Sequence, residues 1–163
     1  MAKKEIRAKK NKKYNEHLAS SNTSANLVSV AMWLIPFIFS YMTNLLYYVA
    51  LIGLVLVIVF EKKSEMVRFN AAKALVVNGL FTLFVWLISA VVITVLVDYL
   101  YSNALINDQF LSTVIGAIEF STSVLYIAYL AILIYSVTFA IQWKKTNLSF
   151  IDSLAERLIG NKK

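Results

Sequence analysis

Glu119, Thr122, Ser123 and Tyr126 recur at spacings of three and four, which puts a carboxyl, two hydroxyls and a phenol on one helical face. An ionisable group within an apolar span is a functional candidate by default, as in proton relays and ion pathways. Glu119 stands at the outer end of its run, where water or headgroups reach it, so its depth favours an interfacial role. A second set lies earlier: Ala71, Asn78, Thr82 and Ser89 fall within about 40° of one another on a helix. Such a stripe faces protein, because lipid cannot satisfy an amide, and packing between helices is expected ahead of a transport path. Enzyme chemistry has no footing. His17 is the single histidine and lies in a basic tail, and cysteine is absent, which excludes disulfides, thiolate nucleophiles and cysteine metal sites. There is no Gly-rich phosphate loop, metal-ligand spacing or nucleophile–base pairing, so neither catalysis nor a cofactor is expected.

The elements that must position these residues follow from composition. The chain is 60% hydrophobic and only 15% charged, with a mean hydropathy of +0.69. A soluble domain sits near 45–50% and about 25%, so both deviations point to a polytopic membrane protein. At 163 residues there is room for one membrane domain with short tails. One proline and four glycines suit an all-helical chain.

Residues 1–24 form a basic tail ending in the Ser20-Ser21-Asn22-Thr23-Ser24 joint. A secretory signal is the rival reading, but the basic region is too long and no small-residue cleavage site follows Phe39. The stretch 27–60 is nearly uncharged, and as one helix it would reach roughly 51 Å against a hydrocarbon core of about 30 Å. Two short spans joined near Thr43-Asn44 are expected instead, with Pro36 kinking the first. After Glu61-Lys62-Lys63, Ser64 is the expected N-cap of a basic amphipathic turn that feeds an uncharged run from Leu75 to Val97. The third span is placed at 74–97 and the fourth at 118–142, ending at Trp143-Lys144-Lys145. Tyr41, Tyr47, Tyr99, Tyr101 and Trp143 near span ends fit an aromatic belt.

Residues 149–159 put Phe150, Ile151, Leu154, Ala155 and Leu158 on one face, with Asp152, Ser153, Glu156 and Arg157 opposite. Ser149 and Asp152 stand in capping-box spacing and Gly160 follows, which predicts an amphipathic interfacial helix; docking of this face onto the spans is the alternative.

Charge sets the topology. The tail (Lys3, Lys4, Arg7, Lys9, Lys10, Lys12, Lys13), the central loop region (Lys62, Lys63, Arg68, Lys73) and the C-terminal region (Lys144, Lys145, Arg157, Lys162, Lys163) hold all sixteen Lys and Arg. Every one falls on the same side if four spans are drawn with both termini cytoplasmic. A three-span reading would strand the central four outside. The expected organisation is therefore a cytoplasmic tail (1–24), a four-span all-α membrane domain (25–143) and a cytoplasmic amphipathic helix (144–163). Lys73 is expected to snorkel to the headgroups.

Val67-Arg68-Phe69-Asn70-Ala71-Ala72-Lys73-Ala74 resembles the membrane-embedded component of the Tic translocon of the chloroplast inner envelope and its small bacterial relatives. Arg68, Phe69, Asn70 and Ala74 match that family's pattern at the start of the third span, and Lys73 replaces the usual Gln. With the four-span layout, the resemblance covers about residues 27–143. It implies an all-α membrane domain and, for the plastid members, a part in protein import. The chain has no long Ser-rich transit extension, so a bacterial plasma membrane is the expected location. Arg68 is expected to bind lipid phosphate or neighbouring carbonyls, and Asn70 the loop after the second span: a structural clasp first, a substrate contact second.

The expected partners are the bilayer and a protein partner or a second copy, with no nucleic acid. Four helices filled with Leu, Val, Ile and Phe leave little room for a pore. The leading expectation is a component of a membrane assembly with a role in translocation or transport. The alternative is a non-transporting regulator, assembly factor or protective partner.

Overall fold

The computed structural model describes residues 19, 23–90, 102, 108–144, 146 and 148–160. Among them the chain is all-helical: α1 (Ala25–Met42), α2 (Asn44–Phe60), α3 (Glu65–Trp86), α4 (Asp108–Ile141) and α5 (Ser149–Leu158). A π-helical turn over 87–90 extends α3. Residues 91–97 of the expected third span, Tyr99 and Tyr101 lie outside the described residues, as does most of the basic tail.

The break between α1 and α2 is a single residue. Thr43 is fully extended (φ −156°, ψ 152°), which no helix tolerates, and it serves both ends. Its N–H donates to the Phe39 carbonyl at 3.3 Å, and its Oγ1 accepts from the Leu46 N–H at 3.2 Å. The two helices pack on one another, with Pro36 inside α1. Among the described residues three helices are long and apolar enough to cross a membrane: α1, α3 with its extension to Ala90, and α4. Helix α2 is equally apolar but stops at 17 residues. Apolar helices of this kind fit a membrane protein.

Two expected boundaries move. Helix α4 begins at Asp108, ten residues before the expected Ile118, because nothing in 108–117 breaks a helix and Asp108 favours the positive end of the helix dipole. The cap of α5 is Leu148 rather than Ser149, and the Asp152 carboxylate accepts the Leu148 N–H at 3.1 Å, one residue out of capping-box register. Gly160 does follow the helix with φ +75°, the left-handed position that glycine occupies without strain.

The chain divides into two compact units, Met1–Val76 with Leu133–Lys163, and Val77–Ile132. The first has a core in which Ala19, Ala25 and Val67 are enclosed by Val28, Val57 and Trp143. Trp143 is thus half-buried against this core. It closes α4 in a Schellman arrangement: the Lys144 N–H donates to Phe139 O at 3.0 Å and the Trp143 N–H to Ala140 O at 3.3 Å. At φ 56° it holds a backbone region that bulky residues rarely enter, a strain offset by its packing.

Candidate functional site

The site is best built from the loop that launches α3. Glu61, the C-cap of α2, is buried, and its Oε1 accepts the Lys63 and Ser64 N–H groups at 2.9 and 3.0 Å. Ser64 Oγ then accepts the Val67 N–H at 3.3 Å, the expected N-cap. A carboxylate and a hydroxyl thus satisfy successive donors and sit at the positive end of the α3 dipole.

From that start α3 turns its first polar residues inward. Arg68 donates from Nε to Ile58 O in the last turn of α2, and from a terminal guanidinium nitrogen to Ile159 O at the end of α5, both at 3.2 Å. One guanidinium therefore caps two helix C-termini, where carbonyls lack intrahelical donors and the dipole is negative. The carbonyl alternative expected from sequence holds.

Asn70 departs from expectation. It contacts α1 rather than the loop after α2: Trp33 Nε1 donates to Asn70 Oδ1 at 3.1 Å, while Asn70 Nδ2 donates to Met66 O at 2.9 Å. Both side chains are buried, and an indole N–H in an apolar setting needs such an acceptor.

Lys73 does not snorkel. Its residue is 1% exposed, its ammonium pairs with the Asp152 carboxylate, and it donates to Thr146 Oγ1 and, at 3.3 Å, to Thr146 O. The Phe69 ring centroid lies 4.3 Å from Nζ. The segment after α4 and the start of α5 cover Lys73, so an internal partner replaces the headgroup. Ala74 is fully buried. Of the expected apolar face of α5, only Ala155 is buried; Ile151 and Leu154 are half-buried, and Phe150 and Leu158 stay exposed. Docking and outward exposure are both present, on different arcs of one helix.

In Val77–Ile132 the pattern changes. The Tyr129 hydroxyl donates to Asn78 Oδ1 at 2.9 Å, both buried, and Phe81 stacks on Tyr129 with centroids 4.7 Å apart, beside Tyr126 at 6.2 Å from Phe81. Asn78 is thus the packing contact expected of it. The rest of the stripe fades outward: Thr82 is half-buried and Ser89 exposed. The Glu119 set is no built site. Glu119 and Ser123 are exposed, Ser123 Oγ donates to Glu119 O at 2.8 Å and Thr122 Oγ1 to Ile118 O at 2.9 Å. Hydroxyls that bond their own helix one turn back satisfy themselves without a partner, as an apolar medium requires.

Among the described residues no three His, Cys, Asp or Glu side chains converge to hold a metal. A shallow groove of about 270 Å³ is lined by Ser24, Asn26, Leu27, Val30 and Ile141, none of them ionisable. Asp152 and Thr146 were missed as members of the Lys73 cluster. The available signal was a carboxylate and a hydroxyl at and before a C-terminal helix, with an orphan lysine at the entrance of a span. The chain matches no family model, no curated protein and no solved structure.

Proposed function

We propose that this chain is a small, non-enzymatic multi-pass membrane protein that works as a component of a larger membrane assembly. The observation that carries the reading is where its polar side chains go. Arg68, Asn70, Lys73 and Asn78 make their hydrogen bonds to groups of the same chain, while the helices present apolar side chains such as Leu45, Ile52, Phe120 and Ile127 outward. That suits a protein that acts by contact in the bilayer rather than by conduction through itself. Four spans, α1 to α4, with both termini cytoplasmic in a bacterial plasma membrane, fit the one-sided placement of all sixteen basic residues.

The resemblance at Val67–Ala74 supports protein translocation as the task of that assembly. The second reading, a non-transporting regulator, assembly factor or protective partner, is favoured by the inward use of those same motif residues. Purified chain in liposomes tests what the two readings share. An assembly component leaves flux at background and runs in native membranes as a complex larger than one copy; flux from the chain alone overturns both. Topology is tested in intact cells: an impermeant thiol reagent should label Asn107→Cys and spare Asn11→Cys and Asn161→Cys.

A further inference from the structure

The circumference of α5 divides into three arcs. At about 100° per residue, Asp152, Ala155 and Ile159 share one arc; Phe150, Leu154 and Leu158 a second; Ser149, Ser153 and Glu156 a third. The first is the docked arc: Asp152 pairs with Lys73, Ala155 is fully buried, and Ile159 gives its carbonyl to Arg68. The second is apolar and open at both ends, with Phe150 67% and Leu158 51% exposed and Leu154 between them half-buried. The third is polar. Arg157, exposed, falls between the second and third.

The depth at which α5 is held says what covers the open arc. Lys73 is the last charged residue of α3 before the uncharged run to Val97, and Lys144 is the first after the uncharged stretch 120–143 that carries α4 to its end. Asp152 is tied to the former, and Thr146, just beyond the latter, joins the same cluster. The helix is therefore fixed where both long helices pass from apolar to charged sequence, which is the headgroup–acyl boundary if they cross a membrane. Exposed Lys144 and Arg157 add the charge that complements anionic headgroups.

We infer that α5 is a lipid-surface anchor whose roll is set by the Lys73–Asp152 pair and the Arg68–Ile159 contact, so that Phe150, Leu154 and Leu158 enter the headgroup–acyl boundary. This rests on the membrane reading above. An amphipathic helix free to roll would bury its whole apolar face, whereas this one gives up Ala155 and Ile159 to the protein and turns the rest to lipid. Arg157 then lies at the waterline, with its stem along lipid and its guanidinium at the phosphates.

The cysteine-free chain allows a direct test on the full-length protein. Single-cysteine variants carry an environment-sensitive fluorophore in phosphatidylcholine–phosphatidylglycerol vesicles. Probes at Phe150→Cys, Leu154→Cys and Leu158→Cys are expected to be quenched several-fold more by lipid brominated high on the acyl chain than by iodide. Probes at Ser153→Cys and Glu156→Cys should show the reverse. Ile127→Cys, on the exposed face of α4, is the control. Loss of bromolipid quenching at Ile127 overturns the membrane reading itself. Quenching kept there, with iodide reaching Phe150 and Leu158, overturns only the anchor. Shielding of both positions from both quenchers means that a second copy or a partner protein covers the arc, which also overturns it. In Asp152→Asn, and separately in Lys73→Met, the contrast between arcs is expected to collapse while the Ile127 signal persists. An unchanged contrast in a variant that keeps that signal overturns the role of the ion pair.

Discussion

In the unit formed by Met1–Val76 and Leu133–Lys163, polar side chains reach across the sequence. Trp33 meets Asn70, Lys73 meets Thr146 and Asp152, and Arg68 meets Ile159. In Val77–Ile132 they mostly turn back on their own helix, as Thr113, Ser121, Thr122 and Ser123 do, each donating to the carbonyl four residues earlier. Among the described residues, Asn78 with Tyr129 is an exception. The difference separates two uses of polarity in an apolar chain. A long-range bond fixes which segments meet; a bond within one helix only lets a hydroxyl be tolerated. Among the described residues the long-range polar contacts concentrate in the first unit, and removing a partner there should cost far more.

The largest expected effect is at Asp152. Asp152→Ala strands the Lys73 ammonium at 1% side-chain exposure and removes the acceptor for the Leu148 N–H. Breaking one side of a buried pair costs about 3–5 kcal/mol. Thermal unfolding in detergent should fall sharply, and Lys73→Met with Asp152→Leu should recover most of it, since an apolar pair avoids the buried charge. A single variant as stable as the parent would erase the contrast between the units.

Arg68→Ala comes next. It opens two helix C-termini at once, and hydrogen bonds to charged groups contribute about 1.5–3 kcal/mol, reduced here because the side chain is only half-buried. Loss of about 2 kcal/mol in the same assay is expected. Full stability with abolished function would instead make Arg68 a substrate contact.

These two clusters also mark how far the sequence could be read. The helix break at Thr43 and the Ser64 cap were legible because each depends on neighbours in sequence, whereas for Arg68 carbonyls were one of two open alternatives. The partners of Asn70 and Lys73 were not legible. Trp33 and Asp152 lie 37 and 79 residues away, and no periodicity carries that distance. A lysine near a span end has two good outcomes, a headgroup or a buried carboxylate, and only packing decides between them. Similarly, the apolar positions of α5 were legible as one face, but not its division between protein and open surface.

The exception in the second unit allows a finer cut. Tyr129→Phe leaves the buried Asn78 Oδ1 without its phenol donor, and Asn78→Leu leaves the phenol without its acceptor. Each single change should cost about 1–2 kcal/mol, whereas replacing both partners with apolar groups is close to neutral. Additive losses would show that the bond itself is not what holds this part of α3 to α4, and that the Phe81–Tyr129 stacking carries the contact.

The smallest effects should lie along the N-terminal half of α4. Ser121 and Ser123 are exposed, and each spends its hydroxyl on a carbonyl of its own helix. Removing such a hydroxyl frees no buried partner, because the carbonyl keeps its intrahelical N–H donor, and the helix gains a better helix former. Ser121→Ala and Ser123→Ala should therefore shift stability by no more than about 0.5 kcal/mol. Glu119→Gln joins them as a charge test, since Glu119 is exposed on the same stretch. The sharper readout is the size of the complex in native membranes. If these three variants leave both stability and complex size unchanged, this face is merely tolerated by its surroundings, as its bonding pattern indicates. If stability holds but the complex falls apart, the partner binds here, and the contrast between the units becomes one between a part that builds the fold and a part that presents it.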